Sequence, residues 1–422
     1  MTESSAVAVI LIGGYSKGTR FRPLSMDLPK PFFPVGGKPM IHHQLSALAS
    51  LGTVKEVFLL GFYEEQTLKA LVEKAAVQFE MKVTYLKEPA ELGTAGGLVH
   101  FSDTLFKSNP KSLILLHGDI ACSFPLKNLV EYHSNNNPKG ITIMGTHVLK
   151  SDAHRFGCIV TEKQYASGKV LHYAEKPVSD VSNLINAGVY VIDPQLVKRF
   201  PDFKEYHKQI SNVAIMDRPS YEISNDENRI RFERDVLSSL ALLGAGDLWV
   251  YVLESESDFW RQCKSAASAI QCSQDYYSYY KQQKPELLAT SAKNKCEIVG
   301  EVIIDPSAEV DPTARVGPGV YIAAGAKIGP GARVSHSIVL ENVEVKSNAF
   351  IKYAIIGWNS SIGSWSRVEG MPNFTHRQPR DNEDKVTIFG SGVRTASEVY
   401  VRNSIVLPHK DLHENVKNRI LL

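Results

Sequence analysis

The chain has 422 residues, 43% of them hydrophobic, which is enough for two or three domains with apolar cores. Its formal net charge of +2 shows none of the basic excess that nucleic-acid or membrane-surface binding requires. The five cysteines are scattered without a CxxC pair, so neither a disulfide framework nor a zinc site is indicated, and we expect a cytoplasmic protein.

The first predicted element is a buried strand over the apolar run 7–12, which leads into a glycine-rich loop. The candidate phosphate-binding residues of this loop are Gly13, Gly14, Gly18, Arg20 and Lys30. Glycines let backbone N–H groups approach a phosphate, and cationic side chains add donors. In an open α/β sheet, the loop after the first strand is where nucleotides bind. The loop motif alone leaves this interpretation and an ordinary strand–helix turn about equally open.

Strands and helices alternate through the next 200 or so residues. The predicted strands cover 57–62, 82–86, 113–116, 140–147, 168–176 and 185–193, and the predicted helices cover 41–50, 68–79 and 260–283. The polar stretch 202–228 predicts a helix followed by an insertion. This alternation predicts an α/β domain over residues 1–285, Rossmann-like and doubly wound, with a parallel sheet between two helical layers.

From Ile298 the apolar period becomes six. The unbroken series is Ile298, Ile304, Val310, Val316, Ile322, Ile328 and Val334. The register slips after Val334 and resumes at Val345. Such hexads predict a left-handed parallel β-helix over residues 296–422, and they disfavour coincidental alternation in a β-sandwich. The open ends of such a helix favour assembly, including a homo-oligomer, over chemistry.

A polar insertion at about 371–386 interrupts the hexads. Two interpretations stay open for it: a tolerated surface insertion of the solenoid, and a loop that reaches a partner subunit.

The residues over 10–40 include GGYSKGTRFRPLS, PKP and GGKPM. They resemble the signature of the sugar-1-phosphate nucleotidyltransferases, GG-x-GTR-x-x-PLT…PKP…KPM. The resemblance to the GDP-mannose pyrophosphorylase branch runs nearly end to end and is greatest for its alpha-subunit family. Members of the wider family join a nucleoside triphosphate to a sugar 1-phosphate and release pyrophosphate. Here the glycine loop is two residues longer than the usual form, and the extra residues lie in the segment that is expected to bind the triphosphate.

The resemblance also implies a nucleotide pocket and a sugar pocket. The implied nucleotide-binding residues are Gly13, Gly14, Gly18, Arg20, Lys30, Glu88, Gly93, Gly96, Gly97 and Asp119. The implied sugar-binding residues are Gly157, Glu175, Lys176 and Asn186. Asp119 matches a family ligand of Mg²⁺, which prefers carboxylate and phosphate oxygens. The alternatives are a plain loop at Gly93, a helix N-cap at Asp119 and a solvated turn at Glu175.

One segment departs from the catalytic relatives. Asp258–Lys264 reads DFWRQCK where they show a pattern like G-F-W-x-D-I-G, whose aspartate supplies the second carboxylate for Mg²⁺. Gln262 takes that place here with a neutral, weaker ligand, and Lys264 adds a cation nearby. We therefore expect Mg²⁺ binding to be weak or absent, whereas contacts to a nucleotide sugar would survive.

These observations favour a regulatory, non-catalytic subunit. It would bind GDP-mannose and transmit feedback inhibition to a catalytic beta subunit of GDP-mannose pyrophosphorylase. The alternative is an active mannose-1-phosphate guanylyltransferase, in which Arg20, Lys30 and Asp119 would be catalytic. A sugar O-acyltransferase is a weaker third hypothesis, because the β-helix offers only His336 as a candidate catalytic histidine.

Overall fold

The structure is a computed structural model that describes residues 6–14, 19–26, 28–163, 166–214, 229–244, 247–372 and 384–422. The chain divides into two compact units. The first unit comprises Met1–Gly14, Ile41–Ile120 and Phe124–Glu256, and the second comprises Tyr15–Met40, Ala121–Ser123 and Ser257–Leu422. Among the helices within the described ranges, none has the length and apolar character needed to cross a membrane.

The first unit is built on a nine-stranded sheet. Its strands are β1 (Ala6–Gly13), β2 (Val54–Gly61), β3 (Lys82–Lys87), β4 (Ser112–His117), β5 (Ile141–His147), β6 (Gly157–Thr161), β7 (Gly168–Glu175), β8 (Leu184–Ile192) and β9 (Leu248–Val252). Its helices are α1 (Met40–Ser50), α2 (Glu65–Phe79), α3 (Gly96–His100), α4 (Ser102–Leu105), α5 (Leu126–Asn136), α6 (Lys150–Ala153), α7 (Pro194–Val197), α8 (Phe200–Ala214) and α9 (Ser238–Leu243). The strand order is β3-β2-β1-β4-β8-β5-β9-β7-β6.

The sheet is mixed. Strands β3, β2, β1 and β4 are parallel, as the alternation predicts. Strand β8 runs antiparallel to both of its neighbours, β4 and β5, and β7 runs antiparallel to β9 and β6. The prediction of a wholly parallel sheet is therefore wrong in this half. The short connection from β6 to β7 is a hairpin that reverses the chain, whereas a parallel neighbour would require a long crossover.

Strand β1 lies at the centre of the parallel half. Six of its eight residues are buried, including Val9 and Ile10, which have no exposed surface, as is typical of a strand covered on both faces. Strand β4 pairs with β1 in parallel, so both strands end at the same edge of the sheet. There the Gly118 N–H donates to the Leu11 carbonyl at 2.9 Å. This edge is where open α/β sheets bind ligands.

The second unit begins with short elements packed on a long helix, α10 (Ala266–Gln283), which precedes α11 (Ser291–Asn294). Ser265 and Ser268 form a capping box at the start of α10, each side chain accepting the other's backbone N–H. The helical prediction over 260–283 is therefore too long at its start. Trp260–Gln262 is instead a short strand, and the cap fixes the first helical residue at Ala266.

The rest of the second unit is a parallel β-helix with three sheets. The first contains Glu297–Ile298, Arg315–Val316, Arg333–Ser335, Phe350–Lys352, Arg367–Glu369, Tyr400–Arg402 and Val416–Lys417. The second contains Val302–Ile304, Val320–Ile322, Ile338–Val339, Ala354–Ile356, Thr387–Phe389, Ile405–Val406 and Ile420–Leu421. The third contains Glu309–Val310, Lys327–Ile328, Glu344–Val345, Ser361–Ile362, Arg394–Thr395 and Asp411–Leu412.

The predicted hexads form the inner ladders of this β-helix. Val316 pairs with Val334, one turn further along, and Val334 pairs with Ile351. The second step is one residue shorter than the first, which is the slip seen in the sequence. All three side chains are buried in one apolar core. The period of six is therefore the number of residues from a strand of one sheet to the next strand, which belongs to the following sheet.

The predicted interruption begins and ends in a small antiparallel ladder. Met371–Pro372 pairs with Asp384–Lys385, so the chain leaves the β-helix and returns at one point. Residues 373–383 between them lie outside the described residues. The choice between a surface insertion and a partner-binding loop stays a prediction.

Candidate functional site

Two of the predicted loop glycines close the end of β1 within the first unit. Gly13 has a φ of +70°, a backbone conformation that disfavours side chains, and its carbonyl accepts the Phe62 N–H at 2.8 Å. A Cβ atom at Gly14 would lie 2.6 Å from the Phe62 Cβ atom. Backbone conformation thus favours glycine at position 13, and close packing requires it at position 14, at the edge where a ligand would bind. Gly18 lies outside the described residues.

The predicted loop cations belong to the second unit. Arg20 lies in a short 3₁₀ turn, Thr19–Phe21, and is exposed, whereas Lys30 begins another such turn and is half-buried. Their predicted role toward a triphosphate stays a prediction.

The predicted base-binding segment, residues 88–97, is packed tightly within the first unit. Gly93 has a φ of +84°, and a side chain there would overlap the Ile230 carbonyl. Gly96 and Gly97 begin α3, and a Cβ atom at Gly97 would lie 2.5 Å from Oε1 of the buried Glu88. The structure therefore brings together four of the residues implied for the nucleotide pocket.

The predicted sugar-binding residues meet around two tyrosines. The Asn186 side-chain amide donates to the hydroxyls of Tyr173 at 3.1 Å and Tyr190 at 2.9 Å. The Tyr173 hydroxyl lies 3.0 Å from Glu175 Oε2. A side chain at Gly157 would overlap the Tyr173 hydroxyl, so only glycine leaves room for that hydroxyl here. Gly157, Glu175 and Asn186 thus form one polar cluster with the two tyrosines.

Lys176 stands at the end of β7, next to that cluster. Its Nζ lies 3.4 Å from Glu175 Oε1, and its side chain is 63% exposed. Its φ is +49°, a conformation that is uncommon outside glycine and that tends to persist where the surroundings impose it. The exposed ammonium group is suited to an anionic ligand group.

Two further ionisable residues lie beside the cluster. His117, the last residue of β4, has its Nε2 3.2 Å from Oε1 of Glu233, and both side chains are about four-fifths buried. The other carboxylate oxygen, Oε2, accepts from the Thr94 hydroxyl at 2.9 Å. Glu233 belongs to a π-helical segment, Phe232–Leu237, a rare element that occurs mostly at functional sites. These contacts tie the base-binding segment to the sugar cluster.

The two carboxylates of this region have opposite pKa shifts. Burial raises the pKa of Glu175, and the charge of Glu233 raises it further, against the pull of Lys176 and Tyr173. For Glu233, burial acts to raise the pKa, but contact with His117 and its charge outweigh burial and lower the pKa. For His117, burial acts to lower the pKa, and Glu233 outweighs it, so that pKa is raised. Such a site presents both donors and acceptors to the hydroxyl groups of a sugar.

Asp119 lies two residues beyond β4, on the edge already described. It is partly buried, and its charge helps to raise the pKa of His117. Throughout the described ranges, no three His, Cys, Asp or Glu side chains are grouped as ligands for a metal ion. The predicted role of Asp119 toward Mg²⁺ stays a prediction.

Gln262 ends the short strand Trp260–Gln262 of the second unit. Its neighbour Arg261 turns toward α10, where its guanidinium forms two hydrogen bonds with the Asp275 carboxylate, at 2.5 and 3.3 Å. Side chains alternate along a strand, so Gln262 faces the other side.

Sequence reasoning missed the roles of five residues that lie in or beside the polar cluster. These are Thr94, His117, Tyr173, Tyr190 and Glu233. His117 could have been suspected from its place two residues before Asp119. Glu233 belongs to no recognised motif, and its hydrogen-bond partner Thr94 is 139 positions away in the sequence.

Comparisons with known proteins agree with this architecture. The Nucleotidyl transferase family matches residues 7–236, and the GMPPB C-terminal domain family matches residues 298–421. A Dictyostelium discoideum protein named mannose-1-phosphate guanylyltransferase regulatory subunit alpha is 44% identical, with all of both chains covered. Proteins of the same name from Homo sapiens and Papio anubis are each 42% identical over 98% of this chain and 99% of their own.

Proposed function

The chain belongs to the family of mannose-1-phosphate guanylyltransferase regulatory subunits alpha, and from that premise we propose that its first unit binds GDP-mannose without synthesising it. The observation that carries the proposal is the polar cluster of Glu175, Asn186, Tyr173 and Tyr190. A hexose presents several hydroxyl groups that each donate and accept, and this cluster offers both kinds of partner within a few ångströms.

The base and the diphosphate have candidate partners in the same unit. Glu88 is 9% exposed and packs against Gly97, and the glycines of this segment would let backbone groups approach a flat ligand. The exposed ammonium of Lys176 supplies a positive charge near the sugar cluster for a phosphate group. We assign guanine to the first of these places and the sugar-linked phosphate to the second.

Loss of synthesis follows from the residue at position 262. Phosphoryl transfer depends on divalent cations that offset charge on the phosphates, and losing one anionic ligand costs several kcal/mol of transition-state stabilisation, of the order that a metal ion contributes. Gln262 stands where catalytic relatives carry the second carboxylate. Binding of the finished nucleotide sugar uses base, ribose and sugar contacts, so it does not require that carboxylate.

The partner in this proposal is the catalytic beta subunit of the same guanylyltransferase. Occupancy of the first unit by GDP-mannose would lower the activity of that subunit, which is feedback by the product and requires a coupling free energy between sites in two chains. The β-helix of the second unit provides the assembly surface, and the 371–386 segment is the part we assign to the catalytic subunit.

Isothermal titration of the purified chain with GDP-mannose tests the binding proposal. Wild type should bind one equivalent, and Asn186→Ala should weaken binding about tenfold, because it removes the group that fixes both tyrosine hydroxyls. Asn183→Ala, three residues earlier and outside the cluster, is the matched control and should bind as wild type does. Equal affinities for all three proteins would contradict the assignment of the sugar site.

A further inference from the structure

The outer face of the first β-helix sheet carries a cavity of about 320 Å³. Its lining includes Arg315, Arg333 and Lys352 together with the apolar surfaces of Pro318 and Phe350. All of these residues belong to the second unit, and none belongs to the cluster in the first unit. The volume is at the lower end of the range for small-molecule sites.

The three cations are brought together by the register of the β-helix. Arg315 and Arg333 are directly opposite each other on successive turns, and Arg333 is in turn opposite Phe350. Ser335 is opposite Lys352, two positions along the same strands. Successive strands are separated by about 4.8 Å, so Arg315 and Arg333 start one strand apart and Lys352 starts one strand further and two positions along. All three long side chains line the same cavity.

Arg333 has no carboxylate opposite it on either neighbouring strand, whereas Lys352 is opposite Glu369 on the strand beyond. Arg315 is 3.3 Å from Glu297, but within the part of the chain that the structure describes no carboxylate lies within ion-pair distance of Arg333 or Lys352. Like charges directly opposite each other on adjacent strands are destabilising. An anion bound between the Arg315 and Arg333 guanidinium groups would remove that repulsion.

The third sheet of the same β-helix shows the ordinary arrangement. There Glu309, Lys327 and Glu344 are opposite one another in turn, so the sign of the charge alternates from strand to strand. Lys327 lies 3.5 Å from a Glu309 oxygen. The stacked positive charges of the first sheet are thus a local departure from charge pairing, and they coincide with a cavity.

The cavity exists because the side chains change size from turn to turn. Gly317 and Pro318 occupy, in one turn, the places that Ser335 and His336 take in the next. Gly317 has a φ of +109°, and a side chain there would overlap the Val299 carbonyl. On the other side, the His336 ring stacks on Tyr353 with centroids 4.6 Å apart, which gives the cavity a firm wall.

We propose that this cavity binds a phosphate-bearing small molecule, with Arg333 and Lys352 holding a diphosphate and with Pro318 and Phe350 packing against any organic group attached to it. Guanidinium forks match phosphate oxygens in geometry and charge. A small molecule is favoured over an acidic peptide because the charges surround a recess instead of following an extended groove. The site is separate from the proposed GDP-mannose site and does not depend on it.

Calorimetric titration of the full chain at low salt tests this site, with pyrophosphate as the free diphosphate and ADP as a nucleotide-borne diphosphate. We expect saturable binding of at least one probe, weakened about tenfold by Arg333→Ala and by Lys352→Ala. Tighter binding of ADP than of pyrophosphate would assign the ligand to nucleotides, and the reverse order would assign it to the free anion.

Two controls make the test decisive. Lys327→Ala removes a paired cation from the third sheet and should change affinity less than twofold, and Asn183→Ala in the first unit should likewise leave it unchanged. Equal weakening by Lys327→Ala would mean unspecific attraction and would overturn the proposal. The absence of saturable binding would also overturn it, including the case in which an acidic protein segment is the true occupant.

Discussion

Nε2 of His117 and Oε1 of Glu233 lie 3.2 Å apart within the first unit, where they join the end of strand β4 to a π-helical segment. Glu233 is also held by Thr94, which connects this pair to the segment implied for base binding. The pair therefore links the two halves of the proposed ligand site.

We predict that Glu233→Gln lowers the free energy of unfolding by about 2 kcal/mol, because it removes the carboxylate that contacts His117 in a largely buried place. The loss should depend on pH. The raised pKa of His117 contributes stability that is fully present below its ordinary value of 6.5 and is lost as pH rises through the raised value. The lowered pKa of Glu233 contributes stability that is present above 4.5 and is lost as pH falls.

The difference between wild type and Glu233→Gln should therefore be largest between about pH 4.5 and 6.5, in urea unfolding followed by circular dichroism. The double variant His117→Asn with Glu233→Gln should recover part of the loss. A difference that stays constant from pH 4 to pH 9 would show that the pair is not charged.

A second prediction concerns the space beside Tyr173. Gly157→Ala should weaken GDP-mannose binding and cost about 1 to 3 kcal/mol of stability, since the new methyl group would overlap the Tyr173 hydroxyl and lie 2.8 Å from Glu175 Oε2. Gly168→Ala is the control, because its nearest neighbours would be Lys163 side-chain atoms at 3.9 Å. Thermal unfolding and titration of both variants check this, and equal behaviour of the two would count against close packing of the cluster around Gly157.

The raised pKa of Glu175 predicts how GDP-mannose binding varies with pH. If the ionised carboxylate accepts from sugar hydroxyls, affinity should fall as pH decreases, and the fall should begin at a higher pH than an ordinary glutamate with a pKa of 4.5 would give. Glu175→Gln should bind more weakly at neutral pH and lose this part of the pH dependence. A wild-type pH profile identical to that of the variant would exclude a role for this carboxylate.

A matched pair of isoleucines tests the β-helix core. Ile351 is fully buried, and Ile351→Ala should cost about 2 to 5 kcal/mol through lost burial and the cavity left behind. Ile420 is 63% exposed, and Ile420→Ala should change stability by about 0.5 kcal/mol or less. Urea unfolding of both variants is the measurement, and similar costs would mean that the hexads do not form a packed core.

The β-helix could be predicted almost completely, because the apolar residue of each hexad faces the core. The pairing of successive turns then follows from the spacing of these residues along the chain. Even the shortened turn after Val334 is visible as a slip of one residue in the sequence. The parallel half of the first unit was predictable for a similar reason, since buried strands and amphipathic helices are local patterns.

The remaining features depend on contacts between distant residues. The antiparallel direction of β8 is set by which strands it joins, and neither apolar periodicity nor composition shows that direction. Thr94 and Glu233 are 139 positions apart, so no local pattern indicates their hydrogen bond. Tyr173 and Tyr190 have the pattern of ordinary buried strand residues. The hydrogen bond of Tyr173 with Asn186 joins β7 to β8, so it cannot be deduced from either strand alone.

The most direct test of the central claim measures two quantities on the purified chain alone: GDP-mannose binding, and pyrophosphate release from GTP and mannose 1-phosphate with Mg²⁺. The proposal predicts saturable binding and no pyrophosphate release above the background without protein, with measurable release appearing in Gln262→Asp. Pyrophosphate release by the wild-type chain at a typical enzymatic rate of about 1 s⁻¹ or more would contradict it.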